Sequence, residues 1–275
     1  MRYLFAILIN TFLFMTTTQA TGNYATINGM KMYYEEYGKG TPLVLIHGGG
    51  STVGTNWGRV INDFARNHHV IAVELQAHGH TEDRGTPTSF EQDADDVSAL
   101  LKHLKIDKAD IFGFSNGAST TLQLAIRHPK QVNKIIVAST FYKKTGAQPW
   151  FWGMMEKASF ADMPQPYKDA FKAINPSADA LYTMYKRDTD RMLNFKDISD
   201  ADMKSIQAPA LVVSGDNDVA TPEHIVEMYR ILPHAQLAIF PGGHGDYIGE
   251  LFTLKPDAPK HYPAVDIIEA FLKGK

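Results

Sequence analysis

Gly113-Phe114-Ser115-Asn116-Gly117 is the stretch on which the reading of this chain turns. It follows the apolar run Ala109–Phe112 directly and precedes a stretch of helical character. A serine so placed lies on a sharp strand-to-helix turn with strained backbone angles, and its hydroxyl projects above the edge of a sheet. Such a turn crowds the residues two before and two after the serine, which accounts for glycine at both. With 21 glycines in 275 residues, chance would flank a given serine in this way only about 0.6% of the time. Ser115 is therefore the candidate nucleophile.

Working outward, strand-like runs occupy Lys31–Tyr37, Leu43–His47, Val70–Leu75, Ala109–Phe114, Lys134–Ala138, Ala210–Ser214 and Gln236–Phe240. Several, such as Leu43-Val44-Leu45-Ile46 and Ile135-Ile136-Val137, are continuously apolar, as suits strands covered by helices on both faces. Helical periodicity separates them. In the clearest case Ala94, Val97, Leu100, Leu101 and Leu104 repeat on one face, with Ser89 and Gln92 forming a capping-box start. This alternation predicts an α/β fold built on a doubly wound, mostly parallel sheet.

The alternation stops after Ala138. Residues 141–203 carry no strong strand run, are rich in Trp, Phe, Tyr and Met, and are divided by Pro149, Pro164, Pro166 and Pro176. They read as a helical cap insertion between two parts of the core, 21–140 and 204–275, with a last helix over Ala264–Leu272. Residues 1–20 read as a signal peptide: Arg2, a short apolar run from Leu4 to Phe14, and small residues leading to cleavage after Ala20. The expectation is a secreted or periplasmic protein without a membrane anchor after cleavage.

Composition narrows the chemistry. The chain has no Cys, which excludes disulfides, thiolate metal sites and a cysteine nucleophile. A net charge of -3 with 21% charged residues offers no basic surface for nucleic acid. A serine hydroxyl needs a base to take its proton and a third group to orient that base. The strand Ala210–Ser214 runs into Gly215-Asp216-Asn217-Asp218 before Thr221-Pro222 opens a helix, so Asp216 and Asp218 compete for the orienting role. Asp218 is favoured, with Asp216 as the turn-forming residue; Asp246 stands too close in sequence to the base. That base is His244, in Pro241-Gly242-Gly243-His244-Gly245 after the last strand, ahead of His47, His78, His80 and His234.

The developing negative charge also needs a home. His47-Gly48-Gly49-Gly50 follows the strand at 43–46, and glycines there leave backbone N–H groups uncovered. The N–H groups of Gly49 and Asn116 are the candidate oxyanion hole. No Lys-Ser or Lys-Thr pair follows this glycine run, which removes the phosphate-loop reading. In the cap, Trp150, Phe151, Trp152, Met154, Met155, Phe160 and Met163 form a dense apolar cluster. Trp150 and Trp152 are candidate substrate-binding residues there.

Together these motifs resemble the α/β-hydrolase superfamily, in particular its small esterase, lactonase and cofactor-free haloperoxidase-like members. The resemblance runs from Tyr33 to the final helix. It implies an α/β-hydrolase fold and a triad of Ser115, Asp218 and His244, Asp218 being the fourth residue of its turn as the family places it. It also implies cleavage of a small carboxylic ester or lactone through an acyl-enzyme, with no cofactor and no metal. An acyltransferase or perhydrolase using the same triad, or a non-catalytic ligand-binding protein on the same fold, are the alternatives. Haloalkane dehalogenase chemistry would need Asp in place of Ser115. Two departures stand out: Ala118 replaces a third glycine after the elbow, and the loop Glu74–Thr81 lacks the usual Asp-containing pattern.

Overall fold

The structure, a computed structural model, describes residues 21–253 and 258–274. The signal-peptide expectation for residues 1–20 lies outside them. Eight strands, β1 (Thr21–Ile27), β2 (Met30–Tyr37), β3 (Thr41–Ile46), β4 (His68–Val73), β5 (Ala109–Phe114), β6 (Val132–Ala138), β7 (Ala210–Gly215) and β8 (Ala235–Phe240), form one sheet. Their order is β1-β2-β4-β3-β5-β6-β7-β8. β2 runs antiparallel to both of its neighbours, β1 and β4, and the remaining pairs are parallel.

The continuous apolar runs are explained by the two faces they serve. Val44, Ile46, Ile111, Ile135, Val137 and Val212 enter one core, while Leu43, Leu45, Phe112, Ile136, Leu211 and Val213 enter the other. Successive side chains of a strand point to opposite faces, so only an all-apolar strand can fill both. Helices α1 (Val53–Trp57) and α2 (Ile61–Phe64) lead to β4. Helices α3 (Phe90–His103) and α4 (Asn116–Arg127) flank β5. The expected capping serine is in place, Ser89 accepting from the Gln92 N–H.

Strand β1 was not among the expected elements. It carries no apolar run, only the alternation that buries Ala25 and Ile27 and exposes Tyr24 and Thr26. It joins β2 through Asn28-Gly29, both at positive φ (44° and 86°), the conformation that a two-residue hairpin turn demands.

Between β6 and β7 the chain leaves the sheet and forms α5 (Phe151–Lys157), α6 (Gln165–Ile174), α7 (Ala178–Leu193) and α8 (Asp200–Ser205). A small satellite core of Phe171, Leu181 and Met184 holds α6 to α7, whereas α8 drops back against α4 and the later helix α9 (Pro222–Ile231). Helix α10 (Pro263–Lys273) closes the fold. From β3 the chain passes to β4 on one side and later to β5 on the other. A crevice therefore opens at the carboxyl ends of β3 and β5, where open α/β sheets bind ligands. Loop 47–50 and Ser115 both stand there.

Candidate active site

Ser115 directly follows β5 and is the N-cap of α4, with φ 54° and ψ -120°, a strained conformation for a residue with a side chain. Two glycines permit it. A Cβ on Gly113 would lie 2.1 Å from the Gly117 carbonyl oxygen and 2.3 Å from Thr121 Oγ1. One on Gly117 would lie 2.1 Å from the Ile46 carbonyl oxygen. The first clash is within the turn, as the sequence implies; the second is with the neighbouring strand β3. Ala118, at the departure from the family's glycine pattern, is fully buried in the core.

The structure brings Ser115, His244 and Asp218 into one hydrogen-bonded chain. Ser115 Oγ lies 3.1 Å from His244 Nε2, and His244 Nδ1 lies 2.6 Å from Asp218 Oδ1. An ionised carboxylate only accepts, so the imidazole proton sits on Nδ1 and Nε2 is free to accept from the serine. Asp218 is buried and also accepts from Ser139 Oγ, Ser214 Oγ (3.1 Å), the Gly215 N–H (3.2 Å) and the Val219 N–H (2.6 Å). Burial alone would raise its pKa. The His244 charge and the hydrogen bonds from His244, Ser139 and Val219 outweigh burial and hold the carboxyl down at about 2. For His244, burial favours the neutral ring, but the Asp218 carboxylate overrides it and raises the pKa above the ordinary 6.5.

The competing residues have other partners. Asp216 is exposed and accepts the Gly242 N–H at 2.9 Å, and Asp246 accepts the Gly243 N–H at 2.6 Å, so both shape the histidine loop. His234 is exposed in its loop. His47 is fully buried: Nδ1 donates to the Gly48 carbonyl at 2.7 Å and Nε2 accepts the Leu75 N–H at 3.1 Å. Burial first, and the neighbouring His78 charge second, push its pKa down to about 3 and keep it neutral. His80 contacts Glu74, and neither His78 nor His80 lines the cavity above Ser115.

In loop 48–50 the Gly48 N–H is already taken by Asn56 Oδ1 at 2.8 Å and the Gly50 N–H by Asp188 Oδ2 at 2.6 Å. The Gly49 N–H between them donates to no described residue. Asn116 opens α4, so its N–H lacks an intrahelical acceptor. A Cβ on Gly48 would sit 3.1 Å from Ser115 Cβ, and one on Gly49 would sit 2.5 Å from Asn116 Nδ2. The loop is thus packed directly on the elbow.

Above Ser115 lies a cavity of about 560 Å³ whose apolar wall includes Phe141, Trp150, Phe151, Met154, Met163 and Met192. Among the described residues that line it, the charged ones are Asp162, Asp188 and Asp218; none is Lys or Arg. Trp150 lines the cavity near its mouth, 53% exposed. Trp152, the other candidate, does not line it. Its ring packs on Phe141 (5.6 Å) and Phe195 (5.9 Å), and its Nε1 donates to the Lys144 carbonyl, because it faces the opposite side of the short helix α5.

The fold, the elbow and this cavity define an α/β-hydrolase, and the chain belongs to that superfamily. The family described as alpha/beta hydrolase fold matches residues 41–171. The chain is 25% identical to a 2-hydroxy-6-oxo-2,4-heptadienoate hydrolase of Pseudomonas putida over 82% of its own length and 90% of the relative's. It is 27% identical to a pimeloyl-(acyl-carrier protein) methyl ester esterase of Nitrosospira multiformis over 77% and 90%. The solved 2-hydroxy-6-oxo-6-phenylhexa-2,4-dienoate hydrolase of Rhodococcus sp. superposes with a TM-score of 0.76 at 18% identity, over 94% of this chain and 100% of that one. These relatives place the chain among the enzymes of the superfamily.

Four residues that sequence reasoning did not single out take part. Ser139, at φ 55° after β6, bridges Asp218 and the Tyr247 hydroxyl. Asp188 from α7 reaches loop 48–50. Tyr167 from α6 donates to Glu250 Oε1 at 2.6 Å, and burial raises the Glu250 pKa beside His244. Only Ser139 has a local signal, as a small polar residue at the carboxyl end of a core strand.

Proposed function

We propose that this chain is a serine hydrolase that cleaves an uncharged carboxylic ester or lactone with an apolar acyl portion through an acyl-enzyme on Ser115. In this reading Ser115 Oγ attacks the carbonyl carbon while His244 Nε2 takes its proton, and Asp218 stabilises the imidazolium. The carbonyl oxygen, now an anion, is held by the Gly49 and Asn116 N–H groups. His244 then gives its proton to the departing alkoxide, which leaves as the alcohol. A water molecule, deprotonated by His244, attacks the acyl carbon; collapse releases the acid and returns the proton to Ser115.

The observation that carries the reading is a connected Ser–His–Asp chain at the floor of an apolar cavity. Two relatives bear names ending in dienoate hydrolase, which describe carboxylate substrates. Among the described residues, a carboxylate entering this cavity would meet three Asp and no cationic partner apart from the triad histidine, and an unpaired charge removed from water is costly. That favours the neutral ester over the dienoate. The test compares p-nitrophenyl hexanoate with the mono-p-nitrophenyl ester of adipate, which adds one terminal carboxylate. A kcat/KM at least about tenfold higher for the neutral ester, equivalent to about 1.4 kcal/mol, supports the proposal. Equal rates would refute the charge argument, and no turnover of either would refute ester hydrolysis. Export remains part of the proposal, tested by the N-terminus of the mature chain.

A further inference from the structure

The Gly49 N–H is useful only if its peptide plane is fixed, and the surrounding hydrogen bonds show what fixes it. The Gly48 carbonyl, in the same plane, is held from behind by His47 Nδ1 and, at 3.4 Å, by the Ser51 N–H. The preceding plane is held by Asn56 through the Gly48 N–H. The following plane is held through the Gly50 N–H, at 2.6 Å, by Asp188 Oδ2, and Asp188 belongs to the cap, 138 residues further along the chain. The same oxygen stands where a Cβ on Gly49 would meet it at 3.2 Å.

Asp188 is itself held on all sides. His78 Nε2 donates to Oδ2 at 2.9 Å, and Arg191 donates to Oδ1 and to Asp93 of α3. His78 Nδ1 faces the Gln76 carbonyl at 2.9 Å, so both ring nitrogens meet acceptors and the ring carries two protons. His78, Arg191, Asp188 and Asp93 thus form a buried quartet of two cations and two anions. Buried ion clusters are a poor source of net stability, since apolar replacements often match or exceed them. What this one accomplishes is rigid placement of one carboxylate oxygen against one backbone N–H.

We propose that Asp188 is a positioning residue for the oxyanion hole, through which the cap fixes the Gly49–Gly50 peptide and so aims the Gly49 N–H at the carbonyl oxygen. The proposal rests on the acyl-enzyme reading. Its test uses the full chain and an ester that the wild type turns over, so that an inactive wild type counts against the function and not against Asp188. Asp188→Ala should lower kcat about 10–100-fold, as misplacement of a catalytic group by up to about 1 Å does, while KM changes little. Affinity for a trifluoromethyl ketone, which forms a tetrahedral adduct on Ser115, should fall in the same proportion as kcat/KM. Asp188→Asn keeps an acceptor oxygen of the same size and should lose less than Asp188→Ala; should the alanine variant not fold, it carries the test through the same parallel loss. Arg187→Gln breaks a different cap-to-core ion pair, with Asp83, and should leave kcat unchanged. A raised KM at unaltered kcat, unaltered ketone affinity, or an equal loss in Arg187→Gln would overturn the proposal.

Discussion

Asp218→Asn isolates the electrostatic part of the triad because it keeps the shape of the side chain and removes its charge. The Asp218 carboxylate lies 2.6 Å from His244 Nδ1 and is buried. Two unit charges about 4 Å apart at an effective dielectric near 20 interact by about 4 kcal/mol. At a pH above its pKa His244 becomes an imidazolium only in the transition state and the intermediates, so this stabilisation is lost from the barrier. Four kcal/mol corresponds to about 10³-fold in kcat. The amide adds a geometric fault. One carboxylate oxygen accepts the Val219 N–H and the other the Gly215 N–H. Whichever way the new NH2 points, it opposes a fixed backbone donor. If it points at His244, the ring must carry its proton on Nε2 and cannot accept from Ser115. The assay is steady-state hydrolysis of a p-nitrophenyl ester, with melting temperature measured alongside to exclude unfolding. Asp216→Asn, altering an exposed carboxylate that accepts the Gly242 N–H of the histidine loop, should cost less than about tenfold. A fall below tenfold for Asp218→Asn in a folded protein, or an equal fall for Asp216→Asn, would refute this division of roles.

Three further outcomes follow from the same geometry. The free enzyme's kcat/KM should rise with pH through a pKa above the ordinary histidine value, because protonated His244 cannot take the serine proton and Asp218 raises its pKa; in Asp218→Asn the residual activity should show this limb displaced to lower pH. Trp150→Ala should reshape the acyl-chain-length profile, by about 1–3 kcal/mol per methylene no longer accommodated, with little change in melting temperature. Trp152→Ala should instead lower stability by about 1–3 kcal/mol, less than for a fully buried tryptophan, and leave the profile unchanged; differential scanning calorimetry and an ester panel separate the two. Export with cleavage after Ala20 should give a mature chain beginning at Thr21, read by N-terminal sequencing, and an intact Met1 terminus in the exported fraction would refute it.

The parallel part of the sheet was legible because strands buried on both faces must be apolar throughout, and Leu43–Ile46 and Ile135–Val137 are. The elbow was legible because a strained serine turn demands glycine on both sides. Strand β1 was overlooked for the converse reason: an edge strand in an antiparallel hairpin needs only two inward residues, Ala25 and Ile27. The sign of it was the Asn28-Gly29 turn, which a search for apolar runs passes over. Trp150 and Trp152 could not be told apart from spacing alone, since α5 has only 7 residues and its orientation is set by contacts with Phe141 and Phe195. Asp188 was the least legible. With Arg191 three residues later it looks like a pair on a solvated helix face, and its burial depends on His78, Gly50 and Asp93, all far away in the chain.

The central claim is that Ser115 is the nucleophile activated by His244. Intact mass measurement after reaction with a fluorophosphonate, followed by peptide mapping, tests it most directly. The wild type should gain a single adduct located on Ser115; Ser115→Ala, folded by circular dichroism, should gain none; and His244→Ala should react at least about 10²-fold more slowly. An adduct on another residue, labelling of Ser115→Ala at the wild-type rate, or a wild type that remains unmodified would contradict it.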